Sequence, residues 1–269
     1  MATGLTVLVP AWNEERRLAT TVANVVAAAR RHLSEFEVIV IDDGSNDRTA
    51  EVARSLSIKF PCVSVVRHAT NLGVGAAFHT GLTRAKFPYL TLVPGDNAFH
   101  ESGLDAVFAL VGKVEMVVTY RANPRARTPM RRLLSVCCTQ AMRIVTGKPI
   151  RDAHSLYVFP VTRARQVPRN TGYGYHIETL STLLRGGVPF AEVPVQLNPR
   201  PDSSSKVMRL GVLARLIVTM TRQFLRFVVF REKVRFAEVP AAAPVRTQTV
   251  GRMRTRQVVP PFNHSVRAS

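Results

Sequence analysis

Short apolar runs alternate with longer amphipathic stretches over the first 120 residues. Leu5–Pro10 reads as a buried strand, and the stretch from about Glu14 to His32 as a helix. Phe36–Ile41 is a second strand. The helix after it carries Ala50, Val52, Ala53 and Leu56, with Ser45 or Asp47 placed to cap it. Val63–Val66 is a short third strand, and Asn71-Leu72-Gly73-Val74-Gly75 opens an Ala-rich helix ending near Lys86. Pro88–Val93 is a fourth strand, followed by a helix near Ser102–Val111 and a strand near Val114–Thr119. Apolar strands alternating with helices predict an α/β fold whose mostly parallel sheet is covered on both faces.

The second half is less regular. Arg121–Pro129 reads as a loop and Met130–Thr146 as a helix. Thr171-Gly172-Tyr173-Gly174-Tyr175 precedes a helix from His176 to Arg185, and Phe190–Leu197 forms a strand. Pro199–Ser205 is expected to be a mobile loop. In residues 207–233, Arg215, Arg222, Arg226 and Lys233 fall within roughly 40° of one another at about 100° per residue. Leu213, Leu216, Ile217, Met220, Phe224, Phe227 and Val228 fill a broad opposite face. That pattern suits a helix lying in a membrane interface, or a terminal helix packed on the domain with a solvated Arg stripe. The residues after 235 mix Pro, Arg, Thr and Ser without apolar period and are expected to be a disordered basic tail.

Composition narrows the classes. The chain has 269 residues, 46% hydrophobic and 20% charged, enough for one large domain with a buried core. No uncharged apolar stretch reaches spanning length, and the N-terminus lacks the basic segment and cleavage site of a secretory signal. Three cysteines make no disulfide framework, which fits a reducing compartment.

Charge is unevenly spread. The first hundred residues hold 10 of the 37 basic and 9 of the 18 acidic residues, leaving them close to neutral. The remaining 169 carry 27 basic and 9 acidic side chains, and residues 116–151 hold eight cations and no acid. A phosphate-bearing partner is therefore expected for the second half, with Arg121, Arg131 and Arg132 as candidate contacts. Nucleic acid is not expected, because the cations lack interleaved stacking aromatics and no nucleic-acid-binding module is apparent.

Candidate chemistry lies after the carboxyl ends of the strands, where open α/β sheets place ligands. Pro10-Ala11-Trp12-Asn13-Glu14-Glu15 follows the first strand, Asp42-Asp43-Gly44-Ser45-Asn46-Asp47-Arg48-Thr49 the second, and Pro94-Gly95-Asp96-Asn97 the fourth. No glycine-rich dinucleotide turn and no P-loop is present, which argues against a dehydrogenase or P-loop enzyme. Carboxylates at strand ends suit a base and ribose, with a divalent ion to hold a pyrophosphate.

PAWNEE, DDGSNDRT and NLGVGAAFHTGL, in this order and spacing, resemble the family 2 glycosyltransferases of GT-A fold. Within that family the likeness is to the dolichyl-phosphate mannosyltransferase and polyprenyl-phosphate glycosyltransferase branch, and it covers roughly residues 4–206. GKPIRDAHSLYVF resembles the branch's segment around a central Asp, and GYGYHIETL, EVPVQLNPR and SSSK its acceptor-side motifs. The resemblance implies a catalytic domain over 1–206, and the residue pattern adds an interface helix over 207–235 and a tail over 236–269.

It also implies roles. Pro10, Trp12 and Glu14 would line the base and ribose, with Trp12 where Tyr is usual, and Asp43 beside Asp42 would read the base edge. Asp96 would hold Mg²⁺ or Mn²⁺ on the donor diphosphate. Pro94 stands where the first acid of the usual Asp-x-Asp pair belongs, and Ala98 and Leu156 depart from the pattern as well. Arg200 and Lys206 would clamp phosphate. Asp152 and Glu178 are the other catalytic candidates, Glu178 as the base a hydroxyl acceptor would need. The implied reaction transfers a sugar, with inversion, from a nucleotide sugar to a polyprenyl phosphate at the inner face of the cell membrane, where the protein would be peripherally bound. The rivals are transfer to a saccharide or other hydroxyl, and a non-catalytic sugar-nucleotide-binding member.

Overall fold

The computed structural model describes residues 4–123, 129–198 and 210–237. The chain alternates strands and helices in the order β1 (Gly4–Ala11), α1 (Leu18–His32), β2 (Glu35–Asp42), α2 (Thr49–Lys59), β3 (Val63–Arg67), α3 (Val74–Arg84), β4 (Tyr89–Leu92), α4 (Glu101–Phe108) and β5 (Met116–Arg121). Then come α5 (Pro129–Thr146), β6 (Tyr157–Pro160), the single-turn α6 (Val161–Ala164), α7 (Tyr175–Arg185), β7 (Phe190–Val195) and α8 (Leu210–Phe224). A π-helical turn, Leu225–Val229, continues α8.

The seven strands form one sheet in the order β3-β2-β1-β4-β6-β5-β7. β6 alone runs antiparallel, against both β4 and β5. The expected strands and helices are present, except that the last helical segment ends at Val229 and leaves Lys233 outside it; β6 and α6 are additions. At four residues each, neither develops a period long enough to read.

The central strands are buried on both faces, as their unbroken Val, Leu and Ile content requires. On one face Val7, Val9, Val38 and Val40 meet α1 and α4 through Leu18, Val22, Val25 and Val107; on the other Leu8, Ile39, Ile41 and Leu90 meet α3 and α7. Gly81 of α3 lets that helix approach: a Cβ there would stand 2.3 Å from Leu8 Cδ2.

α1 begins at Leu18, four residues later than the apolar period indicates. The N–H groups of Asn13, Glu14 and Glu15 are taken by Ser45 Oγ, Thr49 Oγ1 and Asp47 Oδ2 across the neighbouring loop. Asn46 and Arg48 donate back to Asn13 Oδ1 and Glu15 Oε2. Asp47, one residue before the α2 cap, accepts from Thr49 N; the cap is Arg48 and not the expected Ser45 or Asp47, while Ser45 serves Asn13.

Leu8 tests this packing. It is fully buried in β1 with α3 against it, so Leu8→Ala should cost about 2–5 kcal/mol, read as a lower urea midpoint at unchanged m-value.

Candidate active site

Three carboxylate-bearing loops leave the carboxyl edge of the adjacent strands β2, β1 and β4 and are tied to one another. Asp43 N donates to Ala11 O (2.9 Å), Gly95 N to Pro10 O (3.0 Å), and Thr21 Oγ1 to Gly95 O (2.9 Å). Glu14, Asp43 and Asp96 therefore occupy one edge, on strands about 4.8 Å apart.

Asp42 and Asp43 divide the work. Asp42 is fully buried; its Oδ1 accepts from Ser45 N (3.0 Å), and its Oδ2 lies 3.1 Å from Arg67 Nε. It shapes the loop. Asp43 Oδ1 accepts from Leu72 N (2.9 Å) and meets His68 Nδ1 (2.7 Å), while Oδ2 accepts from Gly73 N (2.8 Å). His68 Nε2 is in turn 2.9 Å from Thr80 Oγ1. Asp43 thus joins the second strand's loop to the start of α3. Gly44, at φ +68°, makes the approach possible: a Cβ there would stand 2.4 Å from the Thr70 carbonyl carbon.

Trp12 and Pro10 are half-buried beside this network, and Glu14 N is fixed by Thr49. Asp96 follows β4 and is half-buried. The segment after it is held by the far end of the sheet: Asn198 Nδ2 donates to Asn97 O and Phe99 O, and Asn198 N to Ala98 O. His100 caps α4, its side chain accepting from Ser102 N.

Among the described residues no group of three His, Cys, Asp or Glu side chains is placed to hold a metal. A divalent ion fits nonetheless, on one condition. Mg²⁺ and Mn²⁺ at such sites take one or two protein carboxylates and complete their shell from substrate phosphates and water. Asp96 could offer one such carboxylate, if a bound diphosphate supplied the rest.

The basic middle segment reaches the same edge. Arg121, at the end of β5, pairs with Asp152 at 3.0 Å, both side chains nearly buried. Arg121 also donates to Ser135 Oγ (3.0 Å) and to the His154 carbonyl, and Asp152 Oδ1 accepts from His154 N (2.9 Å). Arg132 is exposed on α5, and Arg131 lies in the same helix. Arg200 and Lys206 fall outside the described residues, as do the whole of the expected mobile loop and almost all of the tail. Burial and the nearby Asp152 push the Cys138 thiol up to about 12, so it stays protonated and is no nucleophile.

Glu178, in the first turn of α7, is 2% exposed. Its Oε2 accepts from Asn170 Nδ2 (2.9 Å) and from Arg222 of α8. Asn170 N and O in turn meet His79 Nε2 of α3 at 3.1 and 3.2 Å. Sequence reading did not single out Asn170 or pair Arg222 with Glu178. Asn170 stands five residues before the helix it serves, and Arg222 looks in the sequence like one more member of a solvated stripe.

Fold and site together define an α/β domain whose strand-end loops carry carboxylates and no glycine-rich phosphate loop. The chain belongs to the glycosyltransferases of family 2: residues 6–156, more than half its length, match the sequence profile described as "Glycosyl transferase family 2". Among its relatives is a dolichyl-phosphate beta-glucosyltransferase of Trichomonas vaginalis, 28% identical, the match covering 81% of this chain and 71% of the relative. An undecaprenyl-phosphate mannosyltransferase of Micrococcus luteus is 25% identical over 80% of this chain and 91% of its own. Among solved structures, glucosyl-3-phosphoglycerate synthase of Mycobacterium tuberculosis with Mn²⁺, UDP-glucose and phosphoglyceric acid superposes with a TM-score of 0.62 at 19% identity, covering 82% of this chain and 79% of that one. A mannosyltransferase of Pyrobaculum calidifontis with GDP-Man and Mn²⁺ gives 0.60 at 21%, covering 82% and 64%. These two show the shared fold.

Two outcomes test the site. Asp43→Asn sets an amide NH2, which cannot accept, against Gly73 N–H or, flipped, against Leu72 N–H, so stability should fall by about 1–3 kcal/mol, measured by thermal denaturation without ligand. His176 is 8% exposed, and burial, with Arg121 nearby, depresses its pKa to about 4. The unfolded state then binds more protons than the native state between about pH 6.5 and 4. Stability is complete above that window and falls on acidification through it, by up to about 3 kcal/mol. His176→Asn should flatten this part of a urea-midpoint-against-pH curve.

Proposed function

We propose that the protein moves a sugar from a nucleotide-sugar donor to a polyprenyl phosphate, with inversion, at an anionic membrane surface. The tied loops of β1, β2 and β4 support the donor half of this reading: Pro10, Trp12, Glu14, Asp42 and Asp43 form or frame the base and ribose site, and Asp96 faces the diphosphate. A divalent ion held by Asp96 would neutralise charge on the departing diphosphate.

The acceptor half is assigned to Arg121, Arg131, Arg132, Arg200 and Lys206, with Asp152 holding Arg121 in place. The relatives of Trichomonas vaginalis and Micrococcus luteus are named for polyprenyl-type phosphate acceptors. The observation that carries the choice is Glu178: buried, with Arg222 and Asn170 on its carboxylate. A phosphate acceptor is already a charged nucleophile and needs alignment more than deprotonation. A saccharide hydroxyl would need Glu178 as a base.

Membrane association is supported by the face α8 leaves uncovered: Ile217, Val218, Phe224 and Leu225 are all 40% or more exposed, with Arg215 and Arg222 beside them. Among the described residues no helix is long and apolar enough to cross a membrane.

Calorimetry and transfer assays test the reading. UDP- or GDP-sugar should bind more tightly with Mg²⁺ or Mn²⁺, and Asp96→Asn should lower transfer to a polyprenyl phosphate by at least about 100-fold. Glu178→Gln should reduce that transfer only slightly. Near-complete loss, or turnover on a saccharide alone, would overturn the phosphate acceptor.

A further inference from the structure

The end of α8 carries a feature that the transfer reaction does not use. α7 and α8 run side by side in the same direction. Going down both, a Cβ on Gly174 would meet Thr219, Glu178 pairs with Arg222, Ser181 Oγ donates to Gln223 Oε1 (3.1 Å), and Arg185 donates to the Phe227 carbonyl. α7 begins at the carboxyl edge of the sheet, where Thr171 and Gly172 touch Gly75 of α3, and leads into β7, which is parallel to β5. The far ends of α7 and α8 therefore lie at the opposite edge from Asp43 and Asp96.

There the chain turns out of the π-helical segment through Arg231, a non-glycine residue at φ +48°. Strain of this kind persists only where the surroundings hold it. Here both flanks are pinned. Glu232 pairs with Arg226 at 2.5–2.6 Å, and that hydrogen bond keeps its carboxylate ionised. Four residues on, Phe236 occupies the space a Cβ on Gly186 would need, under the Arg163 guanidinium (5.0 Å), and Ala237 N donates to Gln166 Oε1 (2.7 Å).

Between these pins lies an open cleft of about 360 Å³ lined by Arg185, Arg231, Glu232, Lys233, Val234 and Arg235. Its one acid is already matched by Arg226, which leaves four cations. Val229 and Phe230 beside it are 53% and 75% exposed. Four cations around a cleft call for a phosphate-bearing anion. Apolar side chains standing free next to them select one whose phosphate sits at the edge of a hydrocarbon layer.

We propose that this cleft takes the headgroup phosphate of an anionic lipid, anchoring the end of α8 remote from the reaction while Val229 and Phe230 enter the bilayer surface. The inference deepens the membrane part of the proposed function, yet it is read independently of transfer.

The full chain should co-sediment with phosphatidylglycerol vesicles at low salt and much less with phosphatidylcholine vesicles. The combined variant Arg231→Gly, Lys233→Ala, Arg235→Ala should lower partitioning about 100-fold, at about 1 kcal/mol per surface cation. Its transfer to a short-chain polyprenyl phosphate in detergent should be unchanged. Arg231→Gly alone, which suits the backbone angle, should lower partitioning about fivefold and carries the test if the triple variant misfolds.

Equal partitioning of variant and parent overturns the anchor. So does loss of transfer in detergent, which would assign the cleft to the reaction. Displacement from vesicles by millimolar inorganic phosphate would mean that free phosphate, not lipid, is the ligand. If transfer is absent in every form while the vesicle difference remains, the anchor stands and the acceptor assignment falls.

Discussion

The carboxylate of Asp43 is the contact on which the carboxyl edge of the sheet depends. It sits at the end of a buried strand, 4% exposed, and gathers Leu72 N–H, Gly73 N–H and the His68 ring. A charge so placed is tolerable only because each hydrogen bond to it is stronger than a neutral one, while leaving the donors unmet would be expensive. The contact fixes where α3 starts relative to β2. Since Gly75 of α3 bears on Thr171 and Gly172, it also bears on the approach to α7.

A second buried pair, Arg121 with Asp152, does the same for the cationic half. Isolated buried charges are costly, and this pair is made tolerable by Ser135 and by the backbone of His154. Carboxylates thus cluster after β1, β2 and β4 and guanidinium groups after β5 and on α5. In the proposed reaction, a nucleotide diphosphate bridged through a cation and a phosphate approached directly would call for these opposite linings.

α8 reconciles the two uses its pattern allows. Leu216, Thr219, Gln223 and Phe227 pack inward, while Ile217, Val218, Phe224 and Leu225 face outward. One apolar arc is thus divided between the domain and whatever covers the outer face. The arginines lie between, and Arg222 is spent on Glu178.

The α/β class, six parallel strands and the three carboxylate loops were legible from periodicity and spacing alone, because a strand buried on both faces has no polar positions to disguise it. Local order also announced the motifs, since each lies within a few consecutive residues. What the linear pattern could not carry was pairing across long separations. α1 starts late because Asn13 stands at φ +56°, in a loop whose N–H groups at Asn13 and Glu14 are held by Ser45 and Thr49, thirty-odd residues away. Glu178 reads as an exposed helix acid or a free base until Arg222, 44 residues on, is seen beside it. The split of α8 into covered and uncovered faces depended on where α7 lies. Chemistry resides in residue types and is written in order along the chain; burial and partnership are properties of the neighbours that folding brings together.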